Sequence, residues 1–345
     1  MVRTTAAVVP DDRLELAPDP RSLPVVADVA VAIVSYHCRD DVIACVESVR
    51  SSLRGADVEI VVADNGSTDA TVEALRAHPA GVRVLDLGRN TGFAHATNRA
   101  MEAVGSRSVL LLNPDTTVEP GAIDTLLAWL DDHPSAGVVA PALVNPDGSD
   151  QQTARSFPTA AAALFGRRSP LTRLFPANRW SSRFLTGREH KGDEPFQVDW
   201  VSGAAMAVPR SVVDEVGALD EGYFLFWEDA DWCRRIKDAG YEVWCVPTAT
   251  VVHHEGGTRD HGWSTPVVRH FHAGAYRYWR THHAPQPWNP LRWAAAAGLA
   301  GRGAAIVARE RLRAGLGADR SLPIPPSVAT TAGTPNPSDR SDQNR

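Results

Sequence analysis

Glu59-Ile60-Val61-Val62-Ala63-Asp64-Asn65-Gly66-Ser67-Thr68-Asp69 is the stretch on which the fold turns. An apolar, β-branched run drives straight into an acidic, Gly-bearing turn. Ser67, Thr68 and Asp69 each offer an N-cap for a helix reaching about Ala77. The same pattern lies on both sides of it. Val29–Ser35 is a strand, followed by a helical stretch around Val42–Leu53. Val82–Leu87 reads as a third strand, Phe93–Ala103 as a helix, and Ser108–Leu112 as a fourth strand ending at Asn113-Pro114-Asp115. Strand and helix alternating at this spacing predict a parallel sheet with helices on both faces. Ligands of such open sheets bind beyond the carboxyl ends of the strands, where Asp64 and Asp115 both fall.

The later sequence changes character. Val138–Leu143 and Val198–Val208 read as strands, separated by an Arg- and Pro-containing stretch at 155–194. Asp229–Ala239 reads as a helix closed by Gly240, and Tyr241–Val246 as a strand. Four parts are expected: a loose arm at 1–28, an α/β domain at 29–265, a helical segment at 266–317, and a tail at 318–345. The tail carries Pro323, Pro325, Pro326, Pro335 and Pro337 among polar residues, and too little apolar surface to offset its chain entropy, so it reads as disordered.

Composition narrows the function. The 345 residues are 43% hydrophobic and 22% charged, enough for a sizeable core. A net charge of -6 argues against a nucleic-acid-coating protein, which would carry a basic excess. Lys191 and Lys237 are the only lysines, so positive charge is nearly all guanidinium. Four cysteines without a CxxC pair make neither a disulfide framework nor a structural zinc site. The N-terminal segment lacks a basic n-region and Val29–Val34 is too short to span a bilayer, which predicts a cytoplasmic protein.

Several residues could carry chemistry. Asp64 opens a Gly turn; it is either good turn sequence or a carboxylate able to accept the ring N–H of a uracil or thymine base. Asp115 is either an Asx turn or an acid delivered to the sheet edge by Leu110-Leu111-Leu112. Gly88-Arg89-Asn90-Thr91-Gly92, between strand and helix, could let backbone approach a phosphate at the helix N-terminus. Tyr223-Phe224-Leu225-Phe226-Trp227-Glu228-Asp229-Ala230-Asp231 is the most informative segment. Its acids either complement the helix dipole, as Asp231 is expected to do, or include a desolvated base of raised pKa behind the aromatic run. His253-His254-Glu255 follows a strand without HExxH spacing, which excludes a zinc-protease reading.

Together these segments resemble the family 2 inverting glycosyltransferases with the GT-A fold, and within them the bacterial rhamnosyltransferases of cell-wall and polysaccharide assembly. The resemblance rests on Val61–Asp69, Asn90-Thr91-Gly92-Phe93, Asn113-Pro114-Asp115, Asp199-Trp200-Val201-Ser202-Gly203-Ala204, Trp227-Glu228-Asp229 and His253-His254-Glu255-Gly256-Gly257-Thr258. It covers roughly residues 29 to 280, and Arg269–Arg280 is similar to the segment after the catalytic domain in that group. The resemblance implies an α/β mixed sheet with helices on both faces. It also implies transfer of a sugar, L-rhamnose from dTDP-rhamnose, to a glycan or polyprenyl-linked acceptor.

Site roles follow from the resemblance. Asp64 would hold the nucleobase, with Ser35 and Tyr36 lining the same pocket; Asn65, Asn90, Gly92, Asn113, Gly203 and Ala204 would complete the nucleotide-sugar site. Asp115 would be the last acid of the family's DxD motif and, with His253, would hold Mg²⁺ or Mn²⁺; His254 is the substitute. Asp229, paired with Glu228, would be the catalytic base. Asn113 stands where the motif has its first acid, which removes one charge.

Alternatives are a UDP-hexose donor on the same fold, a non-catalytic nucleotide-sugar-binding protein, and a nucleotidyltransferase. The last lacks a Gly-rich Lys/Arg signature near the first strand. Trp288, Trp293, Ile306 and Val307 among Arg292, Arg302, Arg309, Arg311 and Arg313 give two expectations: a helix at the cytosolic leaflet, or one packed on the domain with a solvated basic face.

Overall fold

The structure is a computed structural model that describes residues 27–151, 153–158, 192–254 and 265–315, with side chains of the last helix described to 309. The expectations for residues 1–26, most of the 155–194 stretch, Glu255 to Thr258 and the 318–345 tail lie outside these.

The first half follows the predicted alternation. β1 (Ala27–Ser35), α1 (Arg39–Ser52), β2 (Val58–Asp64), α2 (Thr71–Arg76), β3 (Val82–Asp86), α3 (Phe93–Glu102) and β4 (Ser106–Leu112) succeed one another. β1 is apolar at nearly every position because it is covered on both faces, as parallel strands are. α1 carries Asp40 and Asp41 in its first turn and Arg50 in its last, complementing its dipole. Sequence reading misplaced the start of α2. Its N-cap is Ala70 in the left-handed region, because the Ser67 hydroxyl is spent on Asp64 and Asp69 bonds Thr71 and the Arg39 N–H.

The second half adds β5 (Thr116–Val118), α4 (Ala122–Asp132), β6 (Ala136–Val144), β7 (Ala154–Arg155), β8 (Phe196–Gln197), β9 (Trp200–Val201) and β10 (Ala205–Pro209). α5 (Arg210–Val216), α6 (Glu228–Asp238), β11 (Glu242–His253), α7 (Thr265–His282) and α8 (Pro290–Gly315) complete it. The single strand expected over Val198–Val208 is broken. β9 pairs with β7 in a separate ribbon, and the chain, after β8, returns to the main sheet at Ala205. The break falls where Gly203 gives its N–H to a side chain instead of a ladder.

Strand order in the main sheet is β3-β2-β1-β4-β10-β6-β11-β5, with β8 beside β11. It is parallel from β3 to β4 and between β6 and β11, with β10 and β5 antiparallel to their neighbours. The expectation of a parallel sheet therefore holds for the first four strands, and the mixed sheet implied by the resemblance for the whole. Alternate residues of each strand feed two cores. Ala32, Val61 and Leu111 pack with α3 and α6; Ile33, Val62 and Leu112 pack with α1 and α4.

Register gathers the functional ends. Ser35 lies beside Asp64, Ile33 beside Leu112, and Leu112 beside Ala205. The carboxyl ends of β1, β2 and β4 and the start of β10 thus share one edge. The bulged β11 brings His253 to it, where His254 N–H bonds the Asp115 carbonyl at 2.9 Å. All four cysteines are free, and burial pushes their thiols up to about 12.

Candidate active site

Asp64 is turned inward. It is fully buried, and its Oδ2 accepts from Ser35 Oγ at 2.7 Å and Ser67 Oγ at 2.6 Å. Its Oδ1 accepts the N–H groups of Gly66 at 3.0 Å and Ser67 at 2.7 Å. With four internal donors this carboxylate builds the turn between β2 and α2. Ser35 is buried with it, while Tyr36 stands exposed at the rim, edge-on to His37. Gly66 is required because a Cβ there would meet Arg89 backbone at 2.7 Å.

The 88–92 turn is held by internal hydrogen bonds. The Phe93 N–H at the start of α3 bonds the Phe224 carbonyl at 2.7 Å, and Gly92 N–H bonds Asn90 Oδ1 at 3.1 Å. Asn65 completes the clamp: its Oδ1 accepts from Thr91 N and Oγ1, and its Nδ2 donates to Gly92 O at 3.3 Å. The loop therefore fastens the β2 turn to the aromatic run.

That run makes a strained approach to α6. Phe226 and Trp227 have φ of 70 and 79, a conformation that costs bulky residues energy and persists only where surroundings enforce it. α7 enforces it: Phe224 stacks on His270, Trp227 lies against Phe271 and Tyr278, and Gly274 allows contact with the Phe226 carbonyl. Arg277 pairs with Asp220, and His282 with Asp231 at 2.7 Å. Asp231 is therefore no simple dipole acid; it accepts from Tyr223 OH, Arg235 and His282. Burial works to raise its pKa, but His282 and Arg235 outweigh it and hold the carboxyl below its ordinary value.

The two preceding acids differ. Glu228 is 6% exposed, and its Oε2 is buried without a hydrogen-bond partner. Burial, then the neighbouring Asp229 charge, pushes its pKa well up. Its side chain is thus withdrawn from solvent, one residue before Asp229. Asp229 is half-buried, with Oδ2 accepting Gly203 N–H at 3.0 Å and Oδ1 accepting Ala230 N–H at 2.8 Å. Burial raises its pKa too, opposed by the Gly203 N–H, the Arg155 charge and the Ala230 N–H. Those donors temper the rise at Asp229, whereas the Glu228 Oε2 has none to temper its own.

On the far side of Gly203-Ala204, the Ala204 carbonyl accepts the Asn113 N–H at 2.9 Å. Asp115 Oδ1 lies 3.2 Å from His253 Nε2, with both side chains largely buried at 14% and 13% exposure. Gln151 Nε2 donates to Asn145 Oδ1 and to the His253 carbonyl, which leaves its Oε1 to accept from His253 Nδ1–H at 2.8 Å. That fixes the imidazole so that Nε2 faces Asp115, with Asn113 Nδ2 at 3.4 Å. Burial alone would raise the Asp115 pKa; the bond and charge of His253 hold it below its ordinary value. His254 turns the other way, with Nε2 at 3.0 Å from Thr117 Oγ1.

Among the described residues there is no cluster of three or more His, Cys, Asp or Glu that could hold a metal. A carboxylate oxygen and an oriented imidazole nitrogen still fit a divalent ion that takes its remaining ligands from phosphate and water. Gln151 carries no motif in sequence; only the fold, across 102 residues, reveals it.

The family model for glycosyl transferase family 2 matches residues 30–215. The chain is 33% identical over 267 residues to an N-acetylglucosaminyl-diphospho-decaprenol L-rhamnosyltransferase of Mycobacterium tuberculosis, covering 74% of this chain and 85% of the relative. It is 24% identical to the dTDP-rhamnosyl transferase RfbF of Shigella flexneri, over 68% of this chain and 72% of that one. A crystal structure of GalNAc-T7 with UDP, GalNAc and Mn²⁺ superposes with a TM-score of 0.52 at 17% identity, covering 77% of this chain and 53% of the other. The mixed sheet is the GT-A architecture. Acids gathered at its edge, a family match over more than half the chain and a relative aligned across most of both sequences lead to one assignment: the chain belongs to glycosyl transferase family 2 and is a glycosyltransferase.

Proposed function

We propose that the protein transfers L-rhamnose from dTDP-rhamnose, with inversion, to a lipid-linked glycan acceptor. One observation carries the chemistry. Gly203 and Ala204, adjacent in the chain, bond Asp229 on one side and Asn113 of the Asp115–His253 pair on the other. Base and leaving-group side are thus coupled through two backbone groups. The donor and acceptor rest on the relatives, one named for diphospho-decaprenol-linked N-acetylglucosamine and one for dTDP-rhamnose.

In this reading Asp229 takes the proton of the acceptor hydroxyl. The oxygen attacks the anomeric carbon from the face opposite the diphosphate, and the bond to the diphosphate breaks. Asp115 and His253 would hold Mg²⁺ or Mn²⁺ with Asn113 beside them; the ion supplies positive charge for the departing diphosphate. Tyr36, at the exposed rim, lines the donor pocket, while Asp64, Asn65 and Asn90 hold its walls. Four free thiols fit a reducing compartment, and the cytoplasmic side is where we set the reaction.

Asp229→Asn tests the base. Transfer falls about 10²–10⁴-fold, the usual contribution of a positioned base, while nucleotide binding and melting temperature stay near those of the parent. Unchanged turnover removes the assignment. Labelled transfer from dTDP-rhamnose against UDP-hexoses tests the donor, and turnover of a UDP-hexose alone replaces it.

A further inference from the structure

The hairpin of α7 and α8 is strongly basic, with Glu310 its one acid, in a chain whose net charge is -6. Between 265 and 309 there is no Asp or Glu, while Arg269, Arg277, Arg280, Arg292, Arg302 and Arg309 are all present. Arg277 is paired with Asp220 of the domain.

α8 itself is scarcely packed. It runs 26 residues, about 39 Å at the standard helical rise, and none of its described side chains is buried. Apart from Arg302 and Arg309, what its described residues show to solvent is apolar. Ala294, Ala297, Ala300, Ala304, Ala305 and Ala308 are exposed along its length. At its start Trp288, Leu291 and Trp293 are 80%, 59% and 66% exposed, the most exposed large apolar side chains among the described residues. Its seam with α7 is open as well, holding a cavity of about 810 Å³ lined by Val268, Leu299, Ala304 and Val307. A water-facing helix would carry charged residues over that surface. No described helix is long and apolar enough to cross a membrane, so α8 is not accounted for as a span.

We propose that α8 is an interfacial anchor that lies on an anionic phospholipid surface. Charge complementarity selects the occupant: the arginine excess of the hairpin, against the single acid Glu310, faces the negative headgroups, and the Trp288-Leu291-Trp293 end enters the headgroup–acyl boundary. The anchor is coupled to the site. α7 packs on the 223–227 run that leads into Asp229, so a docked α8 holds the crevice at a set orientation to the lipid. This inference stands apart from the assignment of donor and acceptor, because bare vesicles contain neither.

The test is flotation of the full chain with vesicles of phosphatidylcholine mixed with phosphatidylglycerol, or of phosphatidylcholine alone. The protein floats with the mixed vesicles and not with the neutral ones, and high salt strips it. The triple variant Trp288→Ser/Leu291→Ser/Trp293→Ser, and separately Arg292→Glu/Arg302→Glu/Arg309→Glu, drop to the lipid-free level. Their melting temperatures stay unchanged, since every replaced side chain lies outside the core. Equal recovery on both vesicle types, no recovery on either, or full recovery of both variants overturns the proposal. So does a dimer in light scattering that the Trp/Leu variant dissolves while nothing floats, which would make a second copy the partner. The lipid-composition and salt arms use the unaltered chain, so a variant that fails to fold leaves the question decided.

Discussion

Asp229 accepts two backbone N–H groups at the edge of the crevice, while Glu228, one residue earlier, has a buried oxygen with no partner. The pair makes a stability prediction whose sign follows from linkage. The raised pKa of Glu228 means the native state keeps a proton that the unfolded chain releases above its ordinary value of 4.5. The stability from this group is therefore complete below that value and is lost as pH rises through the raised one. Glu228→Gln removes that dependence. Urea unfolding shows the variant gaining on the parent at pH 8 and losing that advantage at acid pH, and it retains transfer. An identical pH slope in the two proteins contradicts the protonated Glu228. Gln151→Ala, which frees the His253 ring, weakens Mn²⁺ binding about 10–100-fold in a calorimetric titration; unchanged affinity denies Gln151 its orienting role. At this scale the sequence was readable where an acid ends a strand, as at Asp115. At Asp64 a turn signature does not say whether the carboxylate faces its own amides or a ligand, and only the fold shows it bonded to the Gly66 and Ser67 amides.

Elements were legible where one strand follows another through a helix, since periodicity is local. Val198–Val208 could not be divided from sequence, because the break at Gly203 exists to serve Asp229, 26 residues away. β5, of three residues, and the bulge between Val246 and Thr250 carry too little pattern to stand out. The most demanding junction joins the 88–92 loop to the aromatic run. Gly92 has φ of 91, and a Cβ on it would lie 2.7 Å from the Phe224 carbonyl. Gly92→Ala therefore costs about 3 kcal/mol, backbone strain and overpacking together, read as a lower urea midpoint. A midpoint equal to the parent's would mean that the loop and the run do not meet.

At the scale of the molecule, the order of strands explains why distant segments share one edge. β10 runs antiparallel between β4 and β6, so its first residues sit beside the last residues of β4, and the acid-bearing start of α6 bonds the loop before it. In the proposed reaction Asp115 and His253 serve the departing group and Asp229 the incoming one. That reading contains no covalent intermediate, so each transfer is expected to reverse the configuration at the anomeric carbon. Proton NMR of the product formed from dTDP-rhamnose, recorded before any later equilibration, measures that directly. The account predicts a glycoside whose anomeric configuration is opposite to that of the donor; a product of retained configuration would contradict it.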